Sequence, residues 1–374
     1  MYDYLIVGVG FSGAVLAERL ASQADKKICI IDKRDHICGN AFDYYNENGI
    51  LVHKYGPHWF HTNSSEVFNY LSHFTEWIFH DHIIKSKVNG VLYPFPINMN
   101  TINSFFGVKL KTEDEVKHFI ESKKEKIKNP KNAEEMVLSL LGKELYENFY
   151  FNYTIKQWNM HPKELAASVT ARIPVRYNSK ESYFNDTYQA MPKHGYSKLF
   201  EKLLNHKNIT IILNKDFVDI ENEIKFNKLI YTGPIDEFFN NSFGELPYRS
   251  LEFEHETLNR EYFQECQQIN YPNDENYTRI VEWKHATGLK SNPACRQDRK
   301  TSIMKEYPVA YKKGMERFYP IPLAENNELL MKYEKEVKKL NNVVFCGRLA
   351  EYKYYNMDQV IARSLKIFSD LSKK

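Results

Sequence analysis

The stretch that decides the fold is GVGFSG, Gly8–Gly13, near the start of the chain. It follows the apolar run Tyr4–Val7, which has the composition of a buried parallel strand. A helical pattern with Ala and Leu on one face covers Phe11–Ser22. A second apolar run, Lys27–Ile31, predicts the next strand. This order of strand, glycine turn, helix and strand predicts a βαβ unit that binds a dinucleotide.

The spacing Gly-x-Gly-x-x-Gly gives each glycine a separate role. Gly8 permits the tight turn, Gly10 lets backbone N–H groups approach a pyrophosphate, and Gly13 allows the helix to pack closely on the strand. The pyrophosphate then lies at a helix N-terminus, which favours anions. Asp32 ends the second strand about 20 residues after the last glycine, where a carboxylate binds ribose hydroxyls. An acid at that position disfavours the 2′-phosphate of NADP.

The composition is that of a globular protein of two or three domains. The chain has 374 residues, of which 43% are hydrophobic and 26% are charged, so it can bury a substantial core. Its net charge of +3 is too small to indicate a nucleic acid or a membrane surface as a partner. The 26 Tyr and 24 Phe suit both a large core and a pocket for flat, polar ligands.

The cysteines favour a reducing compartment and no structural metal site. None of them has CxxC spacing, and their number is odd: Cys29, Cys38, Cys266, Cys295 and Cys346. The N-terminus enters a strand without a basic signal region, and no apolar run approaches the roughly 20 residues that span a bilayer. We therefore expect a cytoplasmic protein with no metal and no membrane span.

Two further segments favour FAD over NAD as the dinucleotide. In KRDHICGNA, the residues Arg34, Gly39 and Asn40 follow the acid and suit the flavin side of the pyrophosphate. A late apolar run, Val343–Phe345, leads to a Gly-Arg pair in CGRLAEYKYY. The closing helix, predicted over Met357–Leu371, then directs its N-terminal amides toward the part of the flavin that carries charge when reduced. NAD dehydrogenases lack this late return.

Between these two ends the pattern changes twice. Helices are predicted over Ser65–Phe79 and over most of Asn100–Trp158. Antiparallel strands are predicted in a hairpin around Val88–Gly90, in Arg176–Asp186 and through Tyr248–Tyr311.

The fold class expected is α/β, with an FAD-binding Rossmann-like domain, an inserted helical domain and an antiparallel β-sheet domain. Thr210–Leu213 and Leu229–Thr232 are predicted to return to the first sheet, so the FAD-binding domain is discontinuous. Its pieces are residues 1–80, 195–245 and 340–374. The helical domain is residues 98–170, and the antiparallel sheet domain is residues 81–97, 171–194 and 246–339.

Nine segments resemble, in this order, motifs of the bacterial UDP-galactopyranose mutase family. They are MYDYLIVGVGFSGAVLAERL, IIDKRDHICGNA, HKYGPHWFHT, YPFPINMNTI, NYTIKQW, RIPVRYN, YTGPID, YTRIVEWKH and CGRLAEYKYYNMDQ. The similarity runs from Met1 to the last helix and covers essentially the whole chain. One glycine motif alone is weakly specific, whereas nine ordered motifs are strongly specific.

The resemblance implies an isomerase that interconverts UDP-galactopyranose and UDP-galactofuranose. In the family, N5 of reduced FAD attacks the anomeric carbon and displaces UDP, with no net redox change. The implied partners are the nucleotide sugar and an external reductant such as NADPH. The family is mostly dimeric in bacteria, so a homodimer is expected, with a role in cell-surface glycan biosynthesis.

The resemblance also assigns cofactor contacts. Besides the three glycines and Asp32, the cofactor contacts expected for a member of this family are Ser12, Lys33, Gly39, Asn40, His58, Val218, Gly347, Arg348, Asn356 and Met357. His58 and His61 bracket HWFH, and the first of them approaches the flavin in the family. His58 is therefore a candidate catalytic residue, with a loop histidine satisfied by the backbone as the alternative for either position.

The substrate contacts follow the same motifs. Arg172 and Arg279 match the family's two phosphate-facing arginines and are the other catalytic candidates, because a guanidinium fork suits a diphosphate. Tyrosine hydroxyls complete the diphosphate cage: Tyr183, Tyr307 and Tyr354. Phe149 and Tyr153, four apart on a predicted helix, match the family's uridine-stacking positions. The other expected substrate contacts in this segment are Tyr150, Thr154 and Trp158.

Three residues depart from the family pattern. Asn159 stands where many members have Gly, Asn356 where Asp is common, and His82 where Asn is often found near the uracil end. Asn159 bears on the flexibility of its loop, Asn356 on contacts to the sugar or the cofactor, and His82 on contacts to the nucleotide. UDP-N-acetylgalactopyranose remains an alternative substrate, although His58 favours plain galactose. The glycine motif and its acid would also suit an amine-oxidase-like flavin oxidoreductase or a non-enzymatic flavin-binding module.

Overall fold

A computed structural model describes residues 1–220, 223–285, 299–321 and 323–373. Within these ranges Cys29, Cys38, Cys266 and Cys346 are buried free thiols, while Cys295 lies outside them. None of the helices in the described ranges is both long enough and apolar enough to cross a membrane.

The strands are short except in one sheet. In chain order they are β1 (Tyr2–Val7), β2 (Ile28–Ile31), β3 (Asp43–Tyr45), β4 (Leu51–His53), β5 (Phe60–Thr62), β6 (Trp77–Phe79), β7 (Ile84–Val88), β8 (Val91–Phe95), β9 (Tyr188–Pro192), β10 (Ile209–Ile212), β11 (Phe226–Tyr231), β12 (Tyr248–Leu258), β13 (Gln268–Asn270), β14 (Arg279–Glu282), β15 (Thr301–Ala310), β16 (Tyr319–Pro320) and β17 (Val343–Phe345).

The helices concentrate in the middle of the chain and at its ends. They are α1 (Phe11–Ala24), α2 (Ser65–Ser72), α3 (Met99–Phe106), α4 (Glu113–Lys123), α5 (Ala133–Leu141), α6 (Lys143–Leu145), α7 (Asn152–Trp158), α8 (Ser168–Ala171), α9 (Gly195–Leu203), α10 (Phe217–Ile220), α11 (Ile235–Phe238), α12 (Ala324–Val337) and α13 (Met357–Ser372). Single turns of 3₁₀ helix cover Gly39–Ala41, Pro162–Glu164 and Trp283–His285, and a π-helix covers Tyr146–Phe151.

The first sheet is parallel and is assembled from distant parts of the chain. Its strand order is β10-β2-β1-β11-β17, and every pairing in it is parallel. Successive residues of β1 face opposite cores: Ile6 packs with α1 and α13, whereas Leu5 packs with Tyr333 of α12. Both faces of the sheet are therefore covered, as the apolar strands predicted, and the Rossmann-like α/β fold class is confirmed.

The glycine turn lets α1 begin directly against the end of β1. A Cβ on Gly13 would lie 2.0 Å from the carbonyl oxygen of Gly8, which no side chain tolerates. The first turn of α1 therefore sits on the strand, and its N-terminus points across the carboxyl edge of the sheet.

The second sheet is large and mostly antiparallel, with the strand order β16-β12-β15-β14-β13-β7-β8. Its spine is the pairing of β12 with β15, which runs from Arg249 opposite Ala310 to Leu258 opposite Thr301. The hairpin β7–β8 turns at Asn89 and Gly90, both with positive φ. The antiparallel strands predicted through Tyr248–Tyr311 and around Val88–Gly90 are confirmed.

Two local predictions are wrong. The helix expected over Ser65–Phe79 ends at Ser72, and Trp77–Phe79 form a strand that pairs with β9. No strand covers Arg176–Asp186, where Ser182 makes only an isolated bridge to Ile83; the strand of this region is β9. β9 joins β5 and β6 in a third, three-stranded sheet. Side chains of α12 pack on the parallel sheet's core, so α12 is associated with the dinucleotide region.

Candidate functional site

A cavity lies at the carboxyl edge of the parallel sheet. It is lined by the ends of β1, β2 and β11 and by the segments that follow them, including Gly8, Asp32 and Thr232. Ligands of open α/β sheets bind at this edge. The cavity continues between Met315–Arg317 on one side and Arg348 on the other, so both ends of the chain contribute to it.

Asp32 fixes the shape of the glycine turn. Its Oδ2 accepts a hydrogen bond from the backbone N–H of Val9 at 2.8 Å, and its Oδ1 accepts one from the N–H of Arg34 at 3.0 Å. The carboxylate is thereby held at the cavity wall beside the helix N-terminus. This is the position from which an acid binds ribose hydroxyls.

The two glycine turns form a cradle for an anion. Gly10, the N-cap of α1, provides no side-chain cap, so the first-turn N–H groups are left to the cavity. Gly39 has φ +56°, and a Cβ there would lie 2.9 Å from the Cα of Gly10. Because only two glycines can approach this closely, backbone rather than side chains faces the ligand. The cradle fits the pyrophosphate of a dinucleotide.

Arg34 closes one side of the cavity. Its Nη2 donates to Oε2 of Glu316 at 2.6 Å and to Oδ1 of Asn40 at 2.8 Å. Its guanidinium lies 4.4 Å from the ring centroid of Tyr55. The arginine therefore ties the glycine turn at Gly39 to the segment that precedes β16.

Arg348 separates the cavity from a second group of polar and aromatic residues. Its Nη1 donates to the carbonyl of Phe318 at 3.0 Å and its Nη2 to the carbonyl of Tyr355 at 2.6 Å. Its guanidinium carbon lies 5.7 Å from the ring of Tyr319 and 5.0 Å from that of Tyr354. One residue thus borders both the dinucleotide cavity and the tyrosines beyond it.

His58 lies on the cavity wall and is neutral at pH 7. Its Nδ1 contacts the carbonyl of Gly56 at 2.9 Å, so Nδ1 carries the proton and Nε2 is an acceptor. Burial lowers the pKa of His58 to about 4, and the charges of Arg348 and Arg279 act in the same direction. His58 can therefore contact a ligand but does not carry a positive charge at neutral pH.

The structure places most of the expected cofactor residues along this cavity. The lining includes Gly8, Gly10, Ser12, Asp32, Lys33, Gly39, Asn40, His58, Arg348 and Met357. Four others lie outside it: Gly13, which packs on Gly8, Gly347, which packs on Ser12, Asn356, whose N–H donates to the side chain of Gln359, and Val218, whose side chain is 67% exposed. Phe217, the neighbour of Val218, lines the cavity instead.

Sequence reasoning missed another part of the lining. Tyr231–Pro234, within YTGPID, and Met315–Arg317 both border the cavity. The first follows a strand of the parallel sheet, so the rule that ligands bind at carboxyl ends was a usable signal. The second lies in an irregular segment, and no local pattern identifies it.

A second cluster contains both expected arginines. Nη2 of Arg279 donates to Oε2 of Glu306 at 2.6 Å, and the side chain of Glu306 is fully buried. Arg172 is held by a hydrogen bond from Nε to the carbonyl of Val169 at 3.2 Å and lies 5.4 Å from the ring of Tyr354. Burial raises the pKa of the Tyr153 hydroxyl, and the charges of both arginines act against that rise. The two arginines therefore converge on one group of tyrosines.

Tyr354 and Tyr319 complete this arginine–tyrosine cluster. Their rings stack with centroids 5.9 Å apart. Burial raises the pKa of Tyr319 to about 12. At Tyr354 burial opposes ionisation, but the charges of Arg172, Arg348 and Arg279 outweigh it and lower the pKa. A concentration of positive charge with phenolic donors around it suits a diphosphate.

Tyr307 does not belong to the cluster, which corrects the sequence assignment. Its hydroxyl donates to Oε2 of Glu254 at 2.8 Å, and Glu254 also pairs with Lys305. On β15 the neighbouring Glu306 points to Arg279, so Tyr307 projects from the opposite face of the sheet. Tyr319 takes the place that was assigned to Tyr307.

The aromatic wall differs in part from the expectation. Phe149 and Tyr150 lie on the π-helix and are 3% and 4% exposed, within the core of the helical region. Tyr153 and Trp158 lie on α7, and the Trp158 ring is 6.4 Å from that of Tyr319. Those two aromatic residues reach the cluster, while Thr154 is buried beside them. A π-helix in this place is typical of functional sites.

The remaining polar candidates have structural partners. Nδ1 of His61 lies 2.9 Å from Oδ2 of Asp186, and the ring stacks on Phe184. His82 is buried with its Nδ1 2.9 Å from Nε2 of Gln267, and its ring lies 5.8 Å from that of Tyr183. Because Tyr183 also interacts electrostatically with Arg172, it lies between the cluster and His82. Asn159 caps α7 in the left-handed conformation at φ 54°, which Asn tolerates better than most residues.

Two protein-family models match this chain. A family model described as UDP-galactopyranose mutase matches residues 148–354, more than half of the chain. A model described as an NAD(P)-binding Rossmann-like domain matches residues 6–74. The first match spans the arginine–tyrosine cluster, and the second spans the glycine turn and its acid.

Full-length relatives are also found. A protein of Klebsiella pneumoniae named probable UDP-galactopyranose mutase is 41% identical over 97% of this chain and 93% of its own. The dTDP-fucopyranose mutase of Escherichia coli is 37% identical over 98% of this chain and 97% of its own. A crystal structure of reduced UDP-galactopyranose mutase has a TM-score of 0.79 at 15% identity, covering 100% of this chain and 94% of that one, and it supports the fold.

Proposed function

Because the chain belongs to the UDP-galactopyranose mutase family of isomerases, we propose that it interconverts UDP-galactopyranose and UDP-galactofuranose with reduced FAD as its cofactor. The observation that carries this proposal is the position of Arg348. It borders the dinucleotide cavity and also lies over Tyr319 and Tyr354 of the arginine–tyrosine cluster. A cofactor in the first site and a diphosphate in the second are therefore neighbours.

The residues of the cavity fit FAD. The glycine cradle at Gly10 and Gly39 would hold the pyrophosphate, and Asp32 would bind the ribose. The N-terminus of α13, which begins with Met357 at the cavity wall, is available to negative charge on the reduced ring. When bound, reduced FAD supplies a nucleophilic nitrogen for the anomeric carbon.

Arg172 and Arg279 bind the diphosphate, which leaves the anomeric carbon as UDP and returns to it. Fixed positive charge stabilises the departing group because it requires no reorganisation when the bond breaks. Glu306 holds one nitrogen of Arg279, so the rest of the guanidinium faces the ligand. Tyr319 and Tyr354 add phenolic donors, and Tyr153 with Trp158 provides the wall for the base.

His58 acts in its neutral form. Because burial lowers its pKa to about 4, it does not compete with Arg172 or Arg279 for the diphosphate. Its Nδ1–H is already used by the carbonyl of Gly56, so Nε2 is the atom that can accept a hydrogen bond from the sugar or the cofactor.

A second candidate substrate is a dTDP-6-deoxysugar. The observation that favours it is the 37% identity to the dTDP-fucopyranose mutase over nearly the whole chain. The chemistry at the anomeric carbon is the same, so the two candidates differ only in contacts to the base, the ribose and the sugar C6. UDP-N-acetylgalactopyranose, the alternative raised by the sequence, differs at C2.

One competition experiment tests the choice of substrate. Reduced enzyme is incubated with an equimolar mixture of UDP-galactose, UDP-N-acetylgalactosamine and dTDP-fucose, each as the pyranose, and the products are separated by chromatography. We expect UDP-galactofuranose to form fastest. Faster conversion of the dTDP sugar or of the N-acetyl sugar would contradict the proposed substrate and retain the reaction class.

The organisation and cellular setting belong to the same proposal. We infer an FAD-binding domain of residues 1–80, 195–245 and 340–374, with helical and sheet domains between its pieces. The enzyme works in the cytoplasm as a homodimer, takes its electrons from a donor such as NADPH, and supplies a precursor for cell-surface glycans. Light scattering of the purified protein tests the dimer, and flavin bleaching by NADPH without oxygen tests the donor.

A further inference from the structure

The π-helix and α7, which together carry the aromatic wall, are attached to a turn of the antiparallel sheet. The turn comprises residues 271–278 and joins β13 to β14. Asn152 and Lys156, four residues apart on α7, contact this turn through their side chains, and Asn148, on the π-helix before them, contacts it through its backbone carbonyl. Asn273 donates through Nδ2 to the carbonyl of Asn148 at 3.1 Å and accepts through Oδ1 from Nδ2 of Asn152 at 3.2 Å.

Lys156 makes the densest of these contacts. Its ammonium group donates to three backbone carbonyls of the turn: those of Tyr271, of Glu275 at 2.8 Å and of Tyr277 at 3.1 Å. An ammonium has three N–H donors, so all of them are used. The three acceptors come from different positions of the turn, so this one side chain also fixes the shape of the turn.

A second cation holds the same helix from strand β12. Nε of Arg249 donates to the carbonyl of Gln157 at 3.0 Å, and its Nη2 donates to the carbonyl of Lys156 at 3.4 Å. These are C-terminal carbonyls of α7, which have no partner within the helix. The helix is therefore tied to the sheet at both its side and its end.

The two attached elements, α7 and β14, carry the residues that we propose bind the two ends of the nucleotide. Tyr153 lies three residues before Lys156 on α7, and Arg279 follows the turn directly. The end of the turn is held on β15 next to Arg279, because the N–H of Thr278 donates to the carbonyl of Glu306 at 2.9 Å. The distance between the base wall and the diphosphate arginine is thus set across the Lys156 contact.

We propose that Lys156 is a positioning residue that sets the spacing between the base wall at Tyr153 and the diphosphate arginine Arg279. This inference rests on the proposed function, since it takes a nucleoside diphosphate as the ligand. A ligand that spans both walls gains from their correct spacing, because its second contact is then intramolecular. A fragment that touches one wall gains nothing from it.

The test compares a spanning ligand with two fragments. Dissociation constants of UDP, uridine and inorganic pyrophosphate are measured by NMR titration for the FAD-bound wild type and for Lys156→Met. We expect the affinity for UDP to fall about tenfold, while those for uridine and pyrophosphate stay within twofold. Lys163→Met is the matched control, because Lys163 follows α7 closely in the chain and its side chain is 66% exposed. We expect this variant to leave all three dissociation constants unchanged.

Two further variants sharpen the result. Lys156→Arg keeps the charge but does not restore UDP binding, because the N–H groups of a guanidinium diverge and cannot converge on three carbonyls from one point. Asn273→Ala removes the contacts to Asn148 and Asn152 and weakens UDP binding two- to threefold. If Lys156→Met does not fold with its cofactor, Asn273→Ala replaces it in the comparison of the three ligands.

The possible failures are distinguishable. A wild type that does not bind UDP overturns the proposed substrate, and the inference with it. A wild type that binds UDP while Lys156→Met binds it equally well overturns the inference alone. Parallel loss of UDP, uridine and pyrophosphate, or full rescue by Lys156→Arg, also overturns it, because the effect would then be general disorder or charge.

Discussion

Arg279 and Glu306 lie directly opposite each other on β14 and β15, and their side chains pair at 2.6 Å on the face that carries the arginine–tyrosine cluster. The carboxylate is fully buried, so it has no competing water and holds one nitrogen of the guanidinium in place. The charge that the site offers to a diphosphate is therefore oriented before the ligand arrives.

Arg279→Lys tests whether the fork of Arg279 is required. Lysine keeps the charge and the pair with Glu306, so it avoids the destabilisation that an unpaired buried carboxylate would cause in Arg279→Ala. A single ammonium cannot serve both Glu306 and the diphosphate, and kcat falls at least about tenfold, or ~1.4 kcal/mol of barrier. The measurement is kcat of the reduced enzyme.

The matched control for that variant is Arg260→Lys. Arg260 is exposed and lies over the ring of Phe263, away from the cluster, so its replacement leaves kcat within twofold. Equal activities of Arg279→Lys and the wild type would show that a point charge is sufficient there.

Tyr319→Phe and Tyr307→Phe form a pair that tests the corrected cage. The Tyr319 hydroxyl lies among charged groups of the cluster, and losing it weakens UDP binding at least about tenfold, as expected for a hydrogen bond to a charged group. The Tyr307 hydroxyl binds Glu254 on the other face of the sheet, so its loss changes UDP affinity less than twofold. Isothermal titration with UDP measures both, and the reverse order would restore Tyr307 to the site.

Gly13→Ala tests the contact between α1 and the end of β1. The added methyl would lie 2.0 Å from the carbonyl oxygen of Gly8, so the helix must shift and the anion cradle opens. We expect purified protein with less than one tenth of the wild-type flavin content by absorbance. Gly107→Ala, where a Cβ meets no atom within 4 Å but φ is +67°, costs about 1 kcal/mol of stability and keeps its flavin.

The stability of the protein should depend on pH through His58. Its pKa is about 4 in the folded protein and about 6.5 when unfolded, so the unfolded state binds more protons between these values. The stabilising effect of the neutral ring is complete above pH 6.5 and is lost as the pH falls toward 4. Between pH 7 and pH 5 this amounts to about 2 kcal/mol.

Urea unfolding at pH 7 and pH 5 measures this effect in the wild type and in His58→Gln. Glutamine has no titrating group, so the variant loses less stability than the wild type on acidification. His82, whose pKa burial also lowers, contributes equally to both proteins and cancels in the comparison. At His53 burial is the main cause of the lowered pKa, and the charge of His58 adds to it, so loss of His58 reduces the acid sensitivity in the same direction. Identical losses in the two proteins would contradict a buried neutral His58.

The dinucleotide region could be predicted from the sequence because its signals are local. Three strands of the parallel sheet were predicted and are confirmed: the apolar run before Gly8, the run that ends before Asp32, and Val343–Phe345. A strand that is apolar on both faces has to be covered on both sides, so its place inside a parallel sheet follows from its sequence. The wrong helix over Ser65–Phe79 came from reading an aromatic run as helical, although Trp77–Phe79 pair with β9.

The substrate side was harder, because its geometry depends on strand register. Glu306 and Tyr307 are neighbours in sequence, and only the pairing of β14 with β15 decides which of them faces Arg279. Tyr319 lies in the two-residue strand β16, which no pattern identifies. The π-helix likewise rotates Phe149 and Tyr150 into the core, away from the face that regular helical spacing from Tyr153 gives them.

The central claim is that reduced FAD beside the arginine–tyrosine cluster drives an isomerisation without net redox change. The most direct test is to incubate UDP-galactofuranose with FAD-bound enzyme, with and without dithionite, and to follow UDP-galactopyranose by chromatography. We predict many turnovers per flavin after reduction and almost none in the oxidised state. Equal rates in both states, or consumption of one equivalent of reductant per product, would contradict the account.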